Sequence, residues 1–301
     1  MGGVEQRFAA ELAWADARTT RTGPPTARER SWASVLRLPT ADGPVWLKVT
    51  TPPTRPEVGL YRLLAATVPD AVLVPLALDE GRGLLLLPDG GSTLADGPRE
   101  RLAPDLAEAF AAYGRLQRAM APHRAELVAI GLPDAAPAAL DARCAEAVAV
   151  TGLPDAEACR AAVAGWARVL ATAPAADLVS VDHQDLHPGN VLTSGRFYDW
   201  GDAVVAHPFA SMLVGLGALA RTLGVDPDDR AVRRVRDAYL DVFADLAPHA
   251  ELVATCTLAC RAAVVARALV WHRAVGGEGP YADAARETLA TYSAPSPFAG
   301  A

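Results

Sequence analysis

Between residues 181 and 203 the chain reads "VDHQDLHPGNVLTSGRFYDWGDA". His183-x-Asp185 is followed by Asn190, the only asparagine in 301 residues, and then by Asp199. An H-x-D-x-x-x-x-N run with a later Asp can perform phosphoryl transfer, because one loop then offers a carboxylate to an attacking hydroxyl and an amide oxygen to Mg²⁺. Asp185 is the candidate that orients the hydroxyl and accepts its proton. Asn190 and Asp199 are the candidate metal ligands. "NVL" and "RFYD" fit the arms of a hairpin around Thr193-Ser194-Gly195, which would return Asp199 to the metal held by Asn190. A second singleton lies upstream. Lys48, in "PVWLKV", is the only lysine, and every other basic side chain is an arginine. The composition favours Ala, Gly, Pro, Arg, Leu and Val, so a retained Lys marks a place for a compact ammonium that a planar guanidinium does not replace.

These residues need elements to hold them. "WASVLRL" and "VWLKVT" flank "PTADGP", and their partial apolar alternation predicts a β-hairpin with Lys48 on its second arm. "TPPTRP" breaks the chain, and "EVGLYRLLAATV" predicts a helix opened by Pro56 with Glu57 in its first turn. "AVLVPLALDE" and "GLLLLPDGG" read as two further strands, and residues 1–16 as a helix. From Pro98 onward the segments are helical in pattern, and "DGGSTLADGP" separates the two characters. In a phosphotransfer sheet of this kind a strand Lys grips the α- and β-phosphates and a helix Glu holds that Lys. Lys48 and Glu57 stand in the required order, nine residues apart.

"HQDLHPGNVL" followed by "YDWGDA" resembles the aminoglycoside phosphotransferase/choline kinase-like family over roughly residues 30–215. The resemblance implies an α+β, two-lobed protein-kinase-like fold, with an antiparallel-sheet N-lobe over 1–90 and a mainly helical C-lobe over 91–301. It implies ATP and Mg²⁺, with Asp185 as catalytic base, Asn190 and Asp199 on the metal, and Lys48 with Glu57 on the phosphates. Residues 86–92 would be the hinge that pairs the adenine edge. No GxGxxG precedes the hairpin; "TARERS", ending at Ser31, occupies the place of the phosphate-covering loop. Gly201 and Ser211 stand where the family often has acids, and Asp202 is placed to compensate for the first.

Each residue also has a structural reading. Asp, His, Pro, Gly and Asn all favour turns, Lys48 could extend to water, and Glu57 could be a solvated acid at a helix start. His183, His187 and Trp200 read as structural. Arg261, Arg267 and Arg273 read as ordinary solvated arginines. Cys144, Cys159, Cys256 and Cys260 form no CxxC pair and read as core thiols.

The formal charge of −7 argues against nucleic acid as a partner. No secretory apolar core is present at the start, and a cytoplasmic enzyme without a membrane partner is expected. Residues 203–301 hold ten acids and nine arginines, a balance unlike the acidic pocket a polycationic acceptor needs. A small-molecule O-kinase is the leading expectation, for an antibiotic, sugar, amino sugar or amino alcohol. The alternatives are a non-catalytic, pseudokinase-like nucleotide-binding module and a protein kinase. The short path from Asp199 to the next helix disfavours the last, because it leaves little room for an activation segment. The tail "SAPSPFAGA" is expected to be poorly ordered.

Overall fold

Leu36, Leu47 and Leu86 occupy one row across three neighbouring strands and are fully buried. The next row, Val35, Lys48 and Leu85, faces the other side because strand side chains alternate. This pleat belongs to a five-stranded antiparallel sheet of β1 (Thr26–Glu29), β2 (Ala33–Thr40), β3 (Gly43–Thr50), β4 (Ala77–Asp79) and β5 (Leu84–Pro88), in spatial order β1-β2-β3-β5-β4. The computed structural model describes residues 3–276 and 281–298. The chain divides into two units, Met1–Gly91 and Ser92–Ala301.

In the first unit, α1 (Val4–Arg7) and α2 (Ala9–Asp16) replace the single N-terminal helix expected from sequence. Phe8 leaves helical geometry at φ −113°, ψ 29° and separates them. Leu12, Trp14 and Ala15 of α2 pack on Leu36, Leu38, Leu47, Leu84 and Leu86, closing one face of the sheet. α3 (Pro56–Thr67) starts with Pro56, whose missing N–H costs nothing at a helix start. Two strand expectations change. The segment 71–80 forms strand only at β4, after a 3₁₀ turn at Pro69–Ala71. "TARERS" is largely strand β1 paired to β2, so the intervening turn is confined to Arg30–Trp32.

The second unit is mainly helical: α4 (Arg99–Met120), α5 (Arg124–Ala129), α6 (Leu140–Thr151), α7 (Ala156–Leu170), α8 (Met212–Leu223), α9 (Arg230–Leu240), α10 (His249–Val275) and α11 (Ala284–Ala290). A three-stranded sheet, β6 (Asp134–Ala135), β7 (Ser180–Asp182) and β8 (Val204–Ala206), is ordered β6-β8-β7. β7 and β8 pair antiparallel and bracket residues 183–203, so the segment rich in candidate residues is clamped at both ends. α10 is long and apolar enough to cross a membrane, yet it packs against α6, α7, α8 and α11 with most of its apolar side chains buried. All four cysteines are buried free thiols, with Cys144 Sγ 3.9 Å from Cys159 Sγ. The tail is more tied down than expected: Pro297 is buried and the Arg261 guanidinium donates to Pro295 O at 3.0 Å. Residues 299–301 of that tail lie outside the described residues.

Candidate active site

In the first unit, the Lys48 ammonium lies 2.8 Å from Glu57 Oε1 and 2.7 Å from Oε2. Lys48 is 7% exposed and Glu57 1% exposed, so neither is a solvated surface charge. Leu47 sends its side chain into the core shared with α2, which by pleat alternation turns Lys48 toward the first turn of α3. A carboxylate in the first turn also meets the positive helix end. Ser31 is exposed in the turn between β1 and β2.

In the second unit, β7 ends at Asp182 and the chain turns sharply at Gln184, whose φ of 60° is left-handed. Asp199 has φ 62°. Left-handed backbone is uncommon for residues with a side chain and persists only where the surroundings impose it. Between them, Pro188–Asn190 forms a 3₁₀ turn capped by His187, whose Nδ1 accepts from Gly189 N at 3.0 Å. Val191 and Phe197 form an antiparallel bridge, and Gly195 turns the chain at φ 80°. Tyr198 N donates to Asn190 O at 3.3 Å, tying the residue before Asp199 to Asn190. Asp199 is exposed.

The Asp185 carboxylate is held from three directions. Asn190 Nδ2 donates to its backbone oxygen at 2.9 Å and to Oδ2 at 3.2 Å. His187 Nε2 lies 3.4 Å from Oδ2, and Arg267 Nη2 donates to Oδ1 at 3.1 Å. Burial pushes the carboxyl up, but the His187 hydrogen bond and the positive charge of Arg267 outweigh it and hold Asp185 well below the usual carboxylate range. It is therefore a fixed anion in this setting. Because Asn190 spends its NH₂ on Asp185, its Oδ1 faces away as an acceptor.

Arg267 corrects the expectation of solvated arginines on α10. Its guanidinium also donates to Gln184 O at 2.7 Å and lies 3.4 Å from Asp202 Oδ2. Arg273 donates to Asp202 O at 3.4 Å. Burial raises the Asp202 carboxyl to about 6, against the opposing pull of Arg267. The sequence signal was present but weak: Arg267 interrupts "AAVVARALV", a stretch whose small apolar neighbours are buried.

A buried polar brace supports the loop from beneath. Asp182 accepts from Gln184 N at 3.0 Å, Gln184 Nε2 at 2.5 Å and Ser211 Oγ at 2.7 Å. Burial raises the Asp182 carboxyl. Gln117 Nε2 donates to Val181 O and Pro208 O, both at 3.0 Å, while its Oε1 accepts from Tyr239 at 2.6 Å. Tyr113 accepts from His183 N at 3.0 Å. His183 Nε2 donates to Tyr198 O at 2.9 Å, and burial keeps the ring neutral by lowering its pKa. Ser211, where the resembling family often has an acid, thus hydrogen-bonds an acid at the end of β7, where the loop begins. No sequence pattern links Gln117, Asp182 and Ser211, because they meet only through packing.

α8 approaches this loop at Gly215. A Cβ there would lie 2.6 Å from the Phe110 ring and 3.2 Å from Leu186 O. Gly215→Ala is expected to lower stability by about 1–3 kcal/mol, the usual range for overpacking, in a denaturant titration.

Asp185 also lines a cavity of 780 Å³ whose lining residues all belong to the second unit. Leu94, Leu102, Val214, Ala218 and Trp271 supply apolar wall. The size suits a small organic molecule, since ligand pockets run from about 300 to 1,000 Å³.

A family model described as the phosphotransferase enzyme family matches residues 23–252. Among solved structures, the chain is similar to the macrolide 2'-phosphotransferase MphH from Brachybacterium faecium (TM-score 0.58, 19% identity, covering 96% of this chain and 98% of that one). It is similar to the choline kinase LicA from Streptococcus pneumoniae (TM-score 0.59, 14% identity, 95% and 100%). A third is the aminoglycoside phosphotransferase APH(3'')-Id from Streptomyces rimosus in complex with ADP and streptomycin (TM-score 0.54, 14% identity, 88% and 99%). No curated protein matches the chain.

Proposed function

Because the chain belongs to the phosphotransferase enzyme family, we propose that it is a small-molecule kinase that moves the γ-phosphate of ATP to a hydroxyl. The acceptor range in view is an antibiotic, sugar, amino sugar or amino alcohol. The observation that carries this reading is the Asp185 carboxylate, anchored by Asn190, His187 and Arg267 and open to a cavity of small-molecule size. Asp185 orients the acceptor hydroxyl and receives its proton. Lys48, fixed by Glu57, holds the α- and β-phosphates as a point charge. The turn ending near Ser31 covers the phosphates, the backbone of residues 86–92 pairs the adenine edge, and the units 1–90 and 91–301 act as the two lobes. We place the enzyme in the cytoplasm.

The donor set fits Mg²⁺. Among the described residues no cluster of three or more His, Cys, Asp or Glu could hold a metal. Mg²⁺ commonly takes one or two protein ligands and completes its shell with phosphates and water. Asn190 Oδ1 and the Asp199 carboxylate would hold it. The bound ion would neutralise charge on the phosphate oxygens. Asp199→Ala is therefore expected to weaken Mg·ATP binding more than metal-free ATP binding in calorimetric titrations. Equal losses with and without Mg²⁺ would make Asp199 structural.

A non-catalytic nucleotide-binding module is the competing reading. An acceptor-stimulated release of ADP, screened across hydroxylated sugars, amino alcohols and antibiotics, separates the two. The kinase reading expects stimulation by a subset of acceptors, and the module expects none.

A further inference from the structure

Resting on the phosphotransferase reading, we propose that the acceptor carries a single anionic group, a carboxylate or phosphate monoester, on an apolar body beside its reacting hydroxyl. Arg221 and Arg99 recognise that group.

The charge lining the cavity is opposite to that of the chain. Arg99, Arg221 and Arg267 face it with Asp185 as the one acid among the described residues, in a protein of formal charge −7. Arg267 is already matched by Asp185 and Asp202. Arg99 donates to Leu223 O at the C-terminal end of α8. That contact serves the helix end, so Arg221, in the last turn of the same helix, is not needed for it. The Arg221 guanidinium makes no hydrogen bond or ion pair among the described residues, while its backbone oxygen accepts from Gly224 N at 3.1 Å. Its side chain is exposed, yet its surroundings oppose its charge: partial burial and then repulsion from Arg267 lower its pKa. An anion between these guanidiniums relieves that repulsion and receives the planar, paired donors that suit carboxylate and phosphate.

Cationic acceptors meet the reverse situation, adding like charge to a cavity with two guanidiniums, Arg99 and Arg221, that pair with no carboxylate among the described residues. A quaternary ammonium would need aromatic faces. Among the described residues Trp271 is the one indole on the wall, the Arg267 guanidinium lies 4.8 Å from its ring centre, and Tyr281 stacks on it at 5.7 Å. The apolar wall of Leu94, Leu102, Val214 and Ala218 suits a hydrocarbon body. The acceptor range above thus narrows away from amino sugars and amino alcohols.

A matched series tests this: 4-(hydroxymethyl)benzoate, its amide, 4-(aminomethyl)benzyl alcohol and 4-(hydroxymethyl)phenyl phosphate. Binding is measured by calorimetry on the full chain with saturating Mg·ADP. The two anions are expected to bind at least about tenfold more tightly than the amide, with the amine weakest, and their order tells carboxylate from phosphate. Arg221→Gln, checked for an unchanged melting transition, should abolish the preference for the acid over the amide, and Arg221→Lys should keep part of it. An amine that equals or outranks the acid, an acid that does not bind at millimolar concentration, or a ranking unmoved by Arg221→Gln overturns the proposal. So does loss of acid binding when Mg·ADP is added, because the arginines would then serve the nucleotide. Since binding is read without turnover, acid binding in a protein that never consumes ATP would sink the kinase reading and leave the anion site standing.

Discussion

Asp185→Asn is expected to lower turnover by about 10²–10⁴, the range for loss of a positioned proton acceptor, while ATP binding stays close to that of the parent protein. The substitution keeps shape and removes charge. In the parent, Oδ2 receives Asn190 Nδ2 and faces His187 Nε2, and Oδ1 receives Arg267 Nη2. All three neighbours are donors. An amide offers them one acceptor oxygen and turns an NH₂ toward at least one donor, so the side chain loses basicity and its fixed direction together. Steady-state kinetics with ATP varied at saturating acceptor separates the two effects. A fall in kcat with KM for ATP unchanged is the expected outcome, and turnover like that of the parent would remove Asp185 from the chemistry.

Lys48→Arg is the second large effect. Removing one partner of a buried ion pair typically costs about 3–5 kcal/mol, so Lys48→Ala would confuse folding with function. Arginine keeps the charge and the pairing with Glu57. It does not keep the geometry, because the ammonium sits between both Glu57 oxygens at 2.8 and 2.7 Å in a site 7% exposed. A bulkier planar head must displace its neighbours or turn from the phosphates. Phosphate transfer by the folded, monodisperse variant is expected to fall at least tenfold, a step of about 1.4 kcal/mol in the barrier. Activity within about threefold of the parent would show that Lys48 does not grip phosphate.

The candidate loop was legible because its spacing is local: Asp185, Asn190 and Asp199 lie within fifteen residues. The hairpin bearing Lys48 was legible because alternation and a tight turn reinforce each other. The partners that arrive from afar were not. Arg267 reaches Asp185 across 82 residues and Gln117 reaches Val181 across 64. Helix periodicity says which face is apolar, but not which polar group on another helix that face meets. Strand β1 was missed because "TARE" has no apolar alternation and is held by backbone pairing to β2. The division at Phe8 rests on a single backbone angle that composition does not encode.

The most direct test follows the phosphate itself. ATP labelled in the γ-phosphate is incubated with Mg²⁺, the protein and pools of hydroxylated small molecules, and the label is sorted into small product, inorganic phosphate and protein. Phosphotransfer to a small molecule predicts label in a protein-free organic phosphate ester, formed with ADP one for one and reduced at least a hundredfold by Asp185→Asn. Label appearing only in protein, or Mg·ATP bound with no label leaving it in any pool, would contradict that account.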